Sequence, residues 1–227
     1  MKIAYVTDVH GDLPCFGHFL KEGGRKAEAL VVGGDLAPGL NKGEQGHFLE
    51  KNLLPLLRKT RGPPLLLLTG NDDYRANLGT LEQGEREGLF TLLHQKTVAL
   101  EGYFFPGYCC VPPGPLLIRD WIRSEEQIAA DLRSLEKTPA DRTVLVAHSP
   151  PHGTALDVIW SGQHVGSRAI RDFLKDARPL VSLHGHIHES PRMSGKVQER
   201  LGRTLAINPG NAKSILIDLE TLRVESL

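Results

Sequence analysis

Cysteine is scarce in this sequence. It appears three times in 227 residues, twice as the adjacent pair Cys109 and Cys110, which cannot build a disulfide framework. Free thiols of that kind fit a reducing compartment, so a cytoplasmic location is expected. Net charge is also missing, because 27 Lys and Arg residues are balanced by 27 Asp and Glu. Without a positive excess, binding to a nucleic-acid phosphate backbone is not expected. No apolar run approaches the roughly 20 residues of a membrane span. The chain opens directly on the strand-like segment 2–6, with no leader in front of it, so neither a membrane nor a signal segment is expected. Linkers, repeats and low-complexity stretches are absent as well. With 40% hydrophobic and 24% charged residues, the expectation is one globular α/β domain over residues 1–227, large enough to bury a core without staples.

What the sequence does have is histidine, ten in all, and their placement is informative. Short apolar runs end abruptly in polar, Gly-rich clusters. Residues 3–7 run into Asp8-Val9-His10-Gly11-Asp12, 29–32 into Gly33-Gly34-Asp35, and 65–68 into Thr69-Gly70-Asn71-Asp72-Asp73. Residues 143–147 end at His148-Ser149-Pro150-Pro151, and 180–183 at His184-Gly185-His186-Ile187-His188. Continuous Val, Leu and Ile runs of this length suit strands buried on both faces. Helical patterns lie between them. Ser124 and Gln127 form a capping box ahead of Ile128, Leu132 and Leu135, and Ser167 precedes Ile170, Phe173 and Leu174. Residues 44–59 carry an apolar face that Pro55 should kink or shorten. Residues 97–108 read as a hairpin around Glu101-Gly102, and 203–225 as two more strands.

In open α/β sheets, function gathers outside the carboxyl ends of the strands. The loops at those ends supply Asp8, His10, Asp35, Asn71, His148, His186 and His188. Two carboxylates, an amide and four imidazoles suit Mn²⁺ first, with Fe, Zn²⁺ or Ni²⁺ as alternatives, better than Ca²⁺ or Mg²⁺ alone. Seven donors exceed one tetrahedral site and fit two ions sharing a carboxylate, about 3.5–4 Å apart. Each residue alone has a plainer reading: Asp8 or Asp35 by itself is a turn aspartate after a strand.

Taken in order, Asp8-x-His10, Gly33-Gly34-Asp35, Gly70-Asn71-Asp72-Asp73, His148 and Gly185-His186-Ile187-His188 resemble the calcineurin-like metallophosphoesterase family, over nearly the whole chain. The resemblance implies a sandwich of two mixed β-sheets flanked by helices. It implies one metal held by Asp8, His10, Asp35 and His188, and a second held by Asp35, Asn71, His148 and His186. It implies a phosphohydrolase acting on a small phosphoester, in which a hydroxide between the ions attacks phosphorus in line. The alternative is a non-catalytic metal-binding module for protein interaction on the same scaffold, as in the family's retromer subunit. The seven retained donors favour the enzyme.

One position departs from the family pattern. Asp72 stands where the family usually has a histidine that assists the leaving group. Near two dications Asp72 should lack a proton to give and should repel a dianionic monoester, so diesters are the expected substrates. His152 and His164 are the other candidates for a proton donor. His184 is read as a packed, hydrogen-bonded residue, and His18, His47 and His94 as surface or boundary residues. Asp12 and Asp73 are read as orienting loops or imidazoles. The Pro112–Pro115 loop with Trp121 is read as either a cleft wall or a rigid turn.

Overall fold

The computed structural model describes residues 1–39, 41–114, 120–135 and 137–227. Strand β1 (Lys2–Val6) leads into helix α1 (Leu13–Lys26) and β2 (Ala29–Gly33), and a helical stretch follows as α2 (Lys42–Phe48) and α3 (Leu54–Lys59). Next come β3 (Leu65–Leu68), α4 (Leu78–Arg86), β4 (Thr91–Leu92), β5 (Thr97–Leu100) and β6 (Tyr103–Tyr108). Helix α5 (Glu125–Ser134), β7 (Val144–Ala147), α6 (Arg168–Ala177), β8 (Val181–Leu183) and α7 (Ser190–Ser194) complete the middle of the chain. Four strands close it: β9 (Gln198–Leu201), β10 (Thr204–Ile207), β11 (Ile215–Asp218) and β12 (Arg223–Ser226).

The strands form two mixed six-stranded sheets, in the orders β12-β11-β1-β2-β3-β4 and β5-β6-β7-β8-β10-β9. Alternation along a strand sends its side chains to opposite faces. Thus Ile3 and Tyr5 of β1 join Val31, Leu66 and Leu68 in a core shared with Phe105, Val144 and Val181 of the second sheet. Ala4 and Val6 face the other way, with Leu30, Val32 and Leu67, against Phe16, Phe19 and Leu20 of α1 and Leu53, Leu54 and Leu57. Ile128 and Leu132 of α5 and Ile170 and Leu174 of α6 are buried with the second sheet. The result is a β-sandwich with helices outside, as the family resemblance implies. The buried Tyr5 hydroxyl donates to the His184 carbonyl at 2.9 Å and links the two sheets at the functional end.

Several local expectations hold. Ser124 and Gln127 cap α5 reciprocally, and the Ser167 hydroxyl accepts from the Ile170 amide at the start of α6. Others are corrected. Helix α1 was not among the expected helices; its N-terminus is capped by the Asp12 side chain, which accepts from the Cys15 amide where the 8–12 loop enters the helix. As Pro55 leads one to expect, the second helical stretch is not one regular α-helix: a π-helical segment, Leu49–Leu53, separates α2 from α3 directly ahead of Pro55. The stretch from 203 onward holds three strands, β10, β11 and β12, and not two, and β9 precedes them. Strand β8 stops at Leu183, so His184, His186 and His188 belong to the loop that follows it. Trp121 is buried, and its Nε1 donates to the Asp73 carbonyl, which makes it a structural prop and not a cleft wall; Pro115 lies outside the described residues.

Candidate metal centre

The strands that point the same way end at the same edge of the sandwich, and their pairing continues past the ends. The Asp8 amide donates to the Gly34 carbonyl at 3.0 Å and the His10 amide to the Asp35 carbonyl at 2.9 Å, laying the loops after β1 and β2 side by side. In the other sheet the His148 amide donates to the Tyr108 carbonyl and the Gly185 amide to the His148 carbonyl. Loops from both sheets then meet at one edge. Four donor-bearing residues sit there in the left-handed region, Asp8 (φ 52°), His10 (47°), Asp35 (50°) and His186 (63°). Such backbone is uncommon outside glycine, costs of order 1–3 kcal/mol per residue, and gathers at functional sites. Two glycines are needed for the close approach. A Cβ on Gly70 would collide with the Asp35 carboxylate, and one on Gly185 with Thr7 and the Asp8 carboxylate.

Asp8, His10 and Asp35 each offer a ligand atom, all within 4.8 Å of one another. The Asp8 carboxylate is anchored by the Thr7 hydroxyl at 2.9 Å and by the His186 amide at 3.0 Å. Asp35 uses one oxygen to accept from the Asp72 amide at 2.7 Å, while the other lies 3.2 Å from His148 Nε2. His148 Nε2 also lies 3.0 Å from the Asn71 side-chain oxygen, and Nδ1 lies 2.8 Å from the Gly33 carbonyl. The His186 ring sits 5.4 Å from that of His148, and the His188 ring 5.8 Å from that of His10. All seven sequence-derived donors therefore collect at this edge, with Asp35 between the Asp8–His10 group and the Asn71–His148 group. His188 is the outermost and the most exposed, with Nδ1 3.9 Å from Glu189.

The donor set fits divalent ions on a direct observation. His10 Nε2 is buried and has no hydrogen-bond partner among the described residues, although it lies among carboxylates. An unpartnered buried ring nitrogen is costly without a ligand. Spacing is compatible, since cis donors around an octahedral ion at about 2.1 Å sit about 3 Å apart, and His148 Nε2 lies 3.2 Å from an Asp35 oxygen and 3.0 Å from the Asn71 oxygen. Without metal, His148 carries the compensating charge. Burial disfavours its charged form, but Asp35 beside it lifts its pKa to about 10. Burial also opposes ionisation of Asp35, and the charge and hydrogen bond of His148 outweigh that and hold the carboxyl below its usual range. Asp8, dominated by burial, is raised. Desolvation, aided by the charge of His148, pushes His186 down to about 3.

Residues 1–190 match the family described as calcineurin-like phosphoesterase. The chain belongs to the calcineurin-like phosphoesterase family. Its relatives among solved structures share the fold at low identity. TT1561 of Thermus thermophilus is 18% identical at a TM-score of 0.69, covering 100% of this chain and 97% of that one. A novel archaeal phosphodiesterase is 14% identical at 0.51, covering 100% and 99%. Purple acid phosphatase PPD1 from yellow lupin (Lupinus luteus) seeds is 10% identical at 0.57, covering 100% of this chain and 52% of that one. No curated protein matches the sequence significantly. Among the described residues no helix is long and apolar enough to cross a membrane.

The remaining expectations for this metallophosphoesterase sort cleanly. Asp72 stands at the site, with its carboxylate 3.8 Å from His10 Nδ1. Asp73 orients loops, accepting from the Ala37 and Gly70 amides. His184 is fully buried, with Nδ1 2.9 Å from both the Ala147 and Ser149 carbonyls and Nε2 against the Ser182 hydroxyl, and burial takes its pKa down to about 4. His94 packs against Trp121 at the boundary of the core, with its ring 4.7 Å away. Two residues were missed. Asp157 is a fully buried carboxylate on which His152 and His164 both converge, at 3.6 and 2.7 Å. Asn208, legible only as a turn residue, clamps the Leu156, Gly185 and Ile187 carbonyls with its amide.

Proposed function

We propose that this chain is a phosphodiesterase that works with two divalent ions, Mn²⁺ in preference to Fe, Zn²⁺ or Ni²⁺, on a small phosphoester. Residues 1–227 act as one domain in this reading. The observation that carries it is the placement of Asp35, whose carboxylate lies between Asp8 and His10 on one side and His148 on the other. Asp8, His10, Asp35 and His188 would hold one ion, and Asp35, Asn71, His148 and His186 the other. Bound there, the ions supply an acidified water as nucleophile and positive charge for the phosphoryl oxygens.

The chain's own groups decide the ester preference. Asp72 places a carboxylate beside His10, and its negative charge disfavours a dianionic monoester more than a monoanionic diester. An ionised Asp72 has no proton to offer a departing oxygen. His152 and His164, at 3.6 and 2.7 Å from the buried Asp157 carboxylate, are the candidates that remain for that donor. Diesters with good leaving groups follow as preferred substrates. The test is hydrolysis of bis(p-nitrophenyl) phosphate and p-nitrophenyl phosphate, side by side, with and without Mn²⁺. Metal-dependent turnover favouring the diester supports the reading, and metal-dependent turnover favouring the monoester overturns the specificity.

A further inference from the structure

The segment between β7 and α6, residues 149–167, leaves the metal edge at His148 and is pinned back onto it. The Ser167 amide donates to the Pro150 carbonyl at 2.8 Å, closing the excursion at its base. Asn208 clamps Leu156 to the carbonyls of Gly185 and Ile187, on either side of His186. The Val158 amide donates to the Ser190 hydroxyl at 3.0 Å, which in turn donates to the Ala155 carbonyl, two residues beyond His188. The excursion is thus tied to the loops carrying three of the four site imidazoles.

Its interior is built around Asp157. That carboxylate accepts from the amides of Gly153, Thr154 and Gly166 as well as meeting His152 and His164. The outer half is a hairpin. Val158 pairs with His164, the Gly162 amide donates to the Ile159 carbonyl at 2.8 Å, and Gly162 takes a positive φ of 81°. This tight turn puts Trp160 at its tip, 73% exposed, among Ser161, Gly162 and Gln163. An indole left in water on a polar turn has no packing role, whereas a rigid turn is a good mount for a flat ring. Trp160 is two residues from Val158, and Ser190 two from His188. At about 3.5 Å per residue, the path from Trp160 through the Val158–Ser190 hydrogen bond to His188 bounds the distance of the platform from the metal edge at about 20 Å.

We propose that the 149–167 excursion is the subsite for a planar, aromatic group esterified to the phosphate, such as a nucleobase-bearing or aryl moiety. The ring would stack on Trp160, with His152 and His164 carried by the same excursion around Asp157. This rests on the phosphodiesterase reading and names its substrate class. Stacking tolerates any flat ring, so the site selects aromatic over aliphatic esters without reading one particular base.

Two measurements test it. In the Mn²⁺-loaded protein, Trp160→Ala should lower the aryl-to-alkyl diester ratio of kcat/KM about tenfold, mainly through KM, while Trp160→Phe keeps most of it. A ratio unchanged in Trp160→Ala overturns the subsite while the phosphodiesterase reading stands, and leaves Trp160 to a protein partner. Separately, AMP should quench the exposed indole fluorescence of the wild type, and the quench should vanish in Trp160→Phe, where only the buried Trp121 remains. A saturable quench in a protein that turns over no ester supports the subsite and sinks the hydrolase. No quench, together with an unchanged ratio, sinks the subsite alone.

Discussion

Metal uptake by this protein should release a proton, and His148 is the group that gives it up. In the metal-free site both nitrogens of this buried ring face acceptors. Nδ1 meets the Gly33 carbonyl, and Nε2 meets Asp35 and Asn71 oxygens. That arrangement is satisfied only by the imidazolium, and the charge of Asp35 raises the pKa to about 10. A ligating imidazole must be neutral. At pH 7, about three units below that pKa, displacing the proton costs about 4 kcal/mol at 1.36 kcal/mol per unit, whereas an ordinary histidine is already mostly neutral. The apparent affinity for Mn²⁺ should climb about tenfold per pH unit from 7 to 9, where a histidine of ordinary pKa would already have levelled off. The sign also reverses for the metal-free fold. Stability from the raised His148 pKa is fully present below the unfolded value near 6.5 and is lost as pH rises through about 10. Isothermal titration calorimetry of EDTA-stripped protein with Mn²⁺ at pH 8, in two buffers of different ionisation heat, reads the proton count directly. Release of about one proton per chain, absent in His148→Gln, is expected. No release at pH 8 would refute the reasoning.

Other outcomes follow from the same geometry. Asp35→Asn should lose at least one ion by elemental analysis and nearly all turnover, because a neutral amide bridges two cations poorly; a variant holding two ions at normal turnover contradicts the shared carboxylate. Gly70→Ala should displace the Asp35 carboxylate it would strike and lower activity at least 100-fold, a loss of about 2.7 kcal/mol in barrier terms. His184, with a folded pKa of about 4 against about 6.5 unfolded, should make the metal-free protein lose about 3 kcal/mol as pH falls from 6.5 to 4; urea midpoints at the two pH values check this, and equal midpoints argue against it. Asp72→His should raise the ratio of alkyl-monoester to aryl-diester turnover by about tenfold or more, and an unchanged ratio removes Asp72 from the account of specificity.

The donor loops were legible because buried parallel strands advertise themselves as unbroken Val, Leu and Ile runs, and each run here stops where a ligand begins. Local capping was legible too, since Ser124 and Gln127 act on neighbours three residues apart. Helix α1 was hidden by its own composition. Three of its fourteen residues are glycine, and its capping Asp12 stands among the donor residues. The interruption near Pro55 was legible, but its π-helical form at Leu49–Leu53 was not, because a proline signals a lost hydrogen bond without fixing the shape that absorbs it. Asp157 and Asn208 could not be found from spacing, because their partners are gathered by the closing of a long loop and by the second sheet. Trp160 carried no signal at all until the hairpin put it in water.

Titrating Mn²⁺ into EDTA-stripped protein while following hydrolysis of bis(p-nitrophenyl) phosphate tests the central claim most directly. The account predicts no turnover in the stripped protein and full recovery at two ions per chain. Undiminished turnover without metal, or full recovery at one ion per chain, would contradict it.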